Sequence, residues 1–171
     1  LSAWNLAMGS QELYDWLDAE PQLFHPGDLD YIHSVERISK LSNVISINGG
    51  VQLDLMGQEN AESVGTRQLS GIGGQMDFLE GAFRSKGGKG FICINSSRVT
   101  KDGQRKSNIL ATIPGGSTIS APRTMIQYVA TEYGIASLSG KTLRERAEAM
   151  ASIAHPDFRE ELLKYARENF K

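Results

Sequence analysis

The stretch "SGIGGQMDFLEGA", residues 70–82, places glycine at 71, 73 and 74, immediately before an apolar pattern of helical period. Glycine loses more conformational freedom on folding than any other residue, so a cluster of them needs a compensating reason. A helix start offers one. Its first N–H groups lack an intrahelical partner, and the aligned peptide dipoles add partial positive charge there. Across Gly71, Gly73, Gly74 and the first helical residue, Gln75, a ligand can come within hydrogen-bond reach of backbone amides. Such a place binds a phosphate or stabilises a developing oxyanion. A tight turn in which helix and sheet approach closely accounts for the same glycines without a ligand, and the pattern alone leaves both readings open. The stretch is no dinucleotide fingerprint, because the third glycine of that motif falls on Met76. Nor is it a P-loop, since no Gly-Lys-Ser/Thr ending follows.

Upstream, "NVISINGGVQLDL" holds two short alternating apolar runs joined at Asn48-Gly49-Gly50, which predicts a β-hairpin. Downstream, "GFICIN" (90–95) and "IQYVAT" (126–131) read as strands, and Asp102-Gly103 marks a second hairpin that returns through "NILATI". Near the start, Ser10 is placed to cap a helix that buries Leu13, Trp16 and Leu17. "EPQLFHPGD" ends that helix with prolines and a glycine.

The last third is helical. Thr142-Leu-Arg-Glu145 matches a capping box, and Ala147, Met150, Ala151 and Ala154 form an apolar face behind it. Pro156 cannot continue that helix and suits the start of another, which carries Phe158, Leu162, Tyr165 and Ala166 on one side. Hairpins, a glycine-led helix, strands and then helices describe an α/β layered domain.

A length of 171 residues suits one domain with a sizeable core. The formal net charge of −2 gives no case for nucleic acid or an acidic membrane surface as partner. A single cysteine, Cys93, excludes an internal disulfide and fits a reducing, cytoplasmic compartment. No apolar run approaches the roughly 20 residues of a membrane span. The opening "LSAWNLAMGS" has neither an initiator Met nor the basic-then-apolar order of a signal peptide, as expected for a piece of a longer chain.

Other chemistry is sparse. His25, His33 and His155 are scattered without metal-ligand spacing, so no metal is expected, and His25 and His155 read as turn residues before proline. Glu132, in "TEYG", is a candidate nucleophile or base, although a polar residue at a strand end is the plainer reading. Arg98, Lys101, Arg105 and Lys106 gather around a hairpin tip, either as a solvated surface or as a phosphate contact.

Three long segments carry a resemblance. "SINGGVQLDLMGQ", "NAESVGTRQLSGIGGQMDFLEGAFRSKGGKG" and "ATEYGIASLSGKTLRERAEAMASIAHPDFREELL" resemble the C-terminal domain of the acetyl-CoA hydrolase/transferase family, which includes butyrate-forming and 4-hydroxybutyrate CoA-transferases. One departure is Ser139, where that family usually has Arg before Gly-Lys.

The resemblance implies a CoA-transferase-like layered fold with a mixed sheet and flanking helices, with residues 1–171 forming one C-terminal domain. It implies transfer of CoA from an acyl-CoA to a small carboxylic acid such as acetate. A glutamate attacks the thioester, and the reaction then passes through a glutamyl-CoA thioester with no tightly bound cofactor. That glutamate and the N-terminal domain are expected upstream of Leu1, so no catalytic nucleophile is assigned here. A homodimer is compatible with the resemblance. Gly71, Gly73, Gly74 and Gln75 are the expected oxyanion and CoA contacts, with Asn48, Val51, Arg98 and Lys101 as further CoA-binding candidates. Two other classes share parts of this pattern: an acyl-CoA hydrolase, with water as acceptor, and a non-catalytic nucleotide-binding module.

Overall fold

The computed structural model describes residues 2–4 and 6–170. Strand β1 (Ser2–Trp4) pairs in parallel with β2 (Phe24–Pro26), and between them run α1 (Gln11–Ala19) and a 3-10 turn (Pro21–Leu23). Short helices α2 (Leu29–Ile32) and α3 (Val35–Lys40) lead into β3 (Ile45–Gly49), β4 (Gln52–Asp54), β5 (Glu59–Asn60) and the small hairpin of β6 (Ser63–Val64) with β7 (Arg67–Gln68). Helix α4 (Gln75–Arg84) then precedes β8 (Lys89–Cys93), the hairpin β9 (Ser97–Val99) to β10 (Arg105–Ser107), and β11 (Ile109–Leu110). The chain closes with the hairpin β12 (Tyr128–Thr131) to β13 (Gly134–Ser137) and two helices, α5 (Leu143–Ser152) and α6 (Pro156–Asn169).

The main sheet is mixed and has four strands in the order β13-β12-β8-β3. β3, β8 and β12 run parallel, in the register Ile47 to Phe91 to Tyr128, and only β13 is antiparallel. A three-stranded sheet, β11-β4-β5, lies beside it. The inner face of the main sheet carries Ile92, Val129 and Ala136, which join Leu53, Leu55, Leu79, Ile109, Met150 and Leu162 in one core. Fully burying an aliphatic side chain of this size stabilises by ~1.5–3 kcal/mol, so this cluster dominates the stability. The outer face bears Ile47 and Ile135, 69% and 64% exposed.

Three expectations need correction. The hairpin at Asp102-Gly103 returns through Arg105–Ser107 and not through "NILATI", whose Ile109–Leu110 pairs in parallel with β4. Residues 48–50 do not form a hairpin, because β3 is taken up by β8 while β4 turns away and pairs with β5 and β11. A neighbour supplied from residues 89–93 wins over the local return, since it extends a sheet whose inner face carries the buried Ile92, Val129 and Ala136. Helix α1 is present, but it buries no residue, and Trp16 remains 50% exposed with its ring edge-on to Phe24 at 4.9 Å. Ser10 stands at the N-cap without a side-chain hydrogen bond. The apolar spacing of α1 is real, but the core lies elsewhere.

The C-terminal helices follow their signals closely. The capping box at Thr142 and Glu145 is formed in both directions, and Ala147, Met150 and Ala151 are buried. His155 caps α6, with Pro156 at its first position. Arg146 is the unexpected member of α5. Its guanidinium donates from Nε to Met56 O at 2.8 Å, from Nη1 to Leu138 O at 3.0 Å and from Nη2 to Arg123 O at 2.6 Å, tying α5 to three loops. Arg146→Ala leaves three carbonyls short of a donor, so urea unfolding is expected to show a loss of about 3 kcal/mol. Arg144→Ala removes only an exposed pair with Glu148 and should cost less than about 0.5 kcal/mol.

Candidate functional site

Parallel strands give the site its place. All three end at the same edge, and in open α/β sheets ligands sit outside the carboxyl ends of the strands. A depression of about 460 Å³ opens there, lined by Gly50, Cys93, Ile94, Asn95, Ala130 and Thr131. Because α4 crosses back between β3 and β8, its N-terminus returns to this edge as well. A larger depression of about 720 Å³ lies beside Ile45, Arg37 and Phe78, with Phe78 in the first turn of α4 forming part of its wall.

The three glycines separate into different roles. Gly73 has φ of +60°, a conformation that favours glycine. Gly74 is the N-cap of α4 and lacks a side-chain cap; a Cβ there would stand 2.3 Å from Cε1 of His33. His33 in turn stacks edge-on with Phe78 at 5.2 Å and pairs with Asp77 at 3.7 Å. Close packing therefore accounts for Gly74, and backbone conformation for Gly73. Gly71 is exposed, and a Cβ on it would meet nothing within 4 Å.

Beneath the turn lies a buried carboxyl. Gln75, the first residue of α4, is 7% exposed and donates its amide Nε2 to Oε2 of Glu59, which is 0% exposed. Oε1 of Glu59 has no hydrogen-bond partner and lies 2.6 Å from where a Cβ on Gly50 would stand. Burial pushes the Glu59 carboxyl up to about 8; the Gln75 hydrogen bond opposes the rise and the nearby Glu62 charge adds to it. Nothing in "GQENAES" signals this burial, since no apolar alternation surrounds the glutamate.

The pattern of the acetyl-CoA hydrolase/transferase C-terminal domain matches residues 9–166. The chain belongs to this family. It is 45% identical over 160 residues to the butyryl-CoA:acetate CoA-transferase of Anaerostipes caccae, covering 94% of this chain and 36% of that protein. It is 44% identical over 163 residues to the 4-hydroxybutyrate coenzyme A transferase of Clostridium kluyveri, covering 95% and 37%. Among solved structures, RipA from Yersinia pestis superposes with a TM-score of 0.86 at 38% identity, over 98% of this chain and 37% of that one. The chain thus spans little more than a third of the relatives it matches, and the layered fold expected from the resemblance is the fold observed.

Within this family domain the remaining candidates are spread out. Asn48 sits on the inner face of β3, its Nδ2 donating to Ser46 Oγ at 2.8 Å. Val51, just past the Gly49-Gly50 turn, donates its N–H to Asn60 O at 3.0 Å. Arg98 is on β9 with Nη1 on Asn108 Oδ1, and it lines a cavity of about 380 Å³ with Gln52, Phe158 and Tyr165. Lys101 is exposed at the hairpin tip, and Ser139 is exposed before Gly140. Glu132 lies in the turn that follows Thr131, the last residue of β12, at the site edge. Partial burial pushes its carboxyl up, but the hydroxyl and amide of Ser96 more than offset this and hold it below the usual range.

Alanine substitution should resolve the glycines by stability alone. Gly73→Ala is expected to lower the urea-derived stability by about 1–2 kcal/mol through its left-handed backbone. Gly74→Ala should cost more, because the new methyl collides with the His33 ring. Gly71→Ala should stay within about 0.5 kcal/mol of the parent, as a surface change that touches nothing.

Proposed function

We propose that this chain is the CoA-facing wall of a CoA-transferase that moves CoA between an acyl-CoA and a carboxylate such as acetate. The observation that carries this reading is the convergence of the uncapped start of α4 and the Gly49-Gly50 turn on the carboxyl edge of the parallel strands. The membership of the chain in its family supplies the chemistry to weigh against that geometry.

In the proposed reaction a glutamate carboxylate from the rest of the enzyme attacks the thioester carbonyl. The C–S bond breaks, CoA leaves as thiolate, and an acyl-glutamyl anhydride remains. The thiolate then attacks the glutamyl carbonyl, expelling the first carboxylate and leaving a glutamyl-CoA thioester. Acetate attacks that thioester, CoA thiolate departs again, and its return to the acetyl carbonyl gives acetyl-CoA and the free glutamate. Each addition passes through an oxyanion, so backbone N–H groups aimed at it contribute most to lowering the barrier. Gly71, Gly73, Gly74 and Gln75 are the proposed donors and lining. Arg98 and Lys101, with Asn48 and Val51, are proposed to meet CoA. The proposed partners are the acyl-CoA, the small acid and the chain's own N-terminal domain, in the cytoplasm.

The test uses the enzyme in which this chain is joined to its N-terminal domain. Incubated with butyryl-CoA and acetate, it should form acetyl-CoA; CoA release without acetyl-CoA would assign a hydrolase instead. In that enzyme Gly71→Ala should lower kcat by roughly tenfold or more, because its methyl blocks the approach of the thioester to the backbone amides, while leaving stability intact. Lys101→Ala should raise KM for butyryl-CoA with kcat little changed, the mark of lost uniform binding. The 171-residue chain alone should transfer nothing. Acetyl-CoA formed by it, or a glutamyl adduct trapped on Glu132, would sink the assignment of the nucleophile to another segment.

A further inference from the structure

We propose that Glu59 is a positioning residue: its carboxyl, wedged between Gly50 and Gln75, sets the spacing between the 49–50 turn and the glycine turn that opens α4. This rests on the reading of that edge as the CoA-thioester site and names the part that holds it in shape.

The glycine turn cannot fix itself. Gly74 offers no cap, Gly73 is flexible by nature, and α4 begins without a side-chain hydrogen bond of its own at the N-cap. The first side chain able to hold the helix start is Gln75, and Glu59 Oε2 receives its Nε2. Glu59 is itself anchored from both sides of its backbone. Its N–H donates to Ala121 O at 3.0 Å, and its carbonyl accepts from Ser120 N at 2.8 Å. At the other end of the carboxyl, Oε1 occupies the space that any side chain at residue 50 would need. A buried acid with one unsatisfied oxygen adds little to stability compared with an apolar residue of similar shape, so stability alone does not account for it.

The carboxyl is neutral in this arrangement. With Oε2 accepting from Gln75, the proton belongs on Oε1, toward Gly50. The charged neighbour that acts on it is Glu62, after β5, which opposes ionisation; α4 presents the neutral Gln75, and the residues nearest Gly50 from β8 and its end are Ile92 and Ile94. The His33 and Asp77 pair lies at the same helix start, beside Gly74. Since the folded carboxyl titrates near 8 and its ordinary value is 4.5, the folded state holds a proton that the unfolded chain has released between those values. Stability from this group is therefore greatest below 4.5, falls as the pH rises toward 8, and levels off above it. Ionisation above that range would place a charge between the two turns and pull them apart.

Three variants test this, Glu59→Leu, Glu59→Gln and Gly50→Ala. In the purified chain, Glu59→Leu and Gly50→Ala should speed amide hydrogen exchange at Gly73, Gly74 and Gln75 by tenfold or more, and Glu59→Gln, which keeps an acceptor for Gln75, should not. The wild-type urea midpoint should fall from pH 5 to pH 8 more than that of Glu59→Gln. In the joined enzyme, Glu59→Leu should lower kcat for butyryl-CoA at least tenfold with KM within twofold. Glu59→Gln should restore kcat at pH 7 and remove the wild-type decline above pH 8. Unchanged exchange in Glu59→Leu, or a Glu59→Gln enzyme as impaired as Glu59→Leu, overturns the proposal. If the wild-type joined enzyme transfers no CoA, the functional reading fails, and the exchange and urea results still decide the role of Glu59.

Discussion

Parallel pairing of β3, β8 and β12 is the constraint from which the rest of this molecule follows. Two parallel neighbours cannot be joined by a tight turn, so the chain must cross the sheet before each new strand. Each crossing leaves from the carboxyl edge. The segment after β3 therefore departs at Gly49-Gly50, and the helix that brings the chain back, α4, starts at that same edge without a side-chain cap. One geometric rule thus brings a loop from residues 49–51 beside a turn from residues 71–74. No attraction between those two segments is needed to explain their meeting, only the direction of the strands.

What those segments become chemically depends on a second layer. The glycine turn is the proposed source of donors, but a turn of glycines has no rigidity of its own. Rigidity comes from His33 beneath Gly74 and from the Glu59–Gln75 bond behind the first helical residue. Both supports come from earlier segments of the chain and make the turn depend on tertiary contacts. The proposed oxyanion role requires this, since donors must be in place before the reaction begins.

The far side of the domain is held by different means. Arg146 satisfies carbonyls in three loops, and α5 and α6 close the core with small residues that let helix and sheet approach. A buried guanidinium is tolerable because each of its three nitrogens donates to a carbonyl. The result is a firm wall behind an edge made of glycine, and both belong to one core.

Much of this was legible before any coordinates. The capping box at Thr142, the proline start of α6, the strands near 90 and 128 and the glycines before α4 are local signals. Each depends on dihedral preference or on a side chain reaching an amide a few residues away, so the sequence by itself determined them, and the long ordered segments determined the family. Pairing and burial were decided only in three dimensions. The Asn48-Gly49-Gly50 turn carries every local mark of a hairpin, yet its first strand prefers a partner from residues 89–93. Trp16 sits on a well-formed apolar stripe with no core beneath it. Glu59 lies among polar residues and is still sealed from water, because Gly50, Gln75 and Ala121 close around it from distant parts of the chain. The free energy of these choices resides in contacts between residues far apart in sequence, and a local pattern carries no record of which partner will arrive.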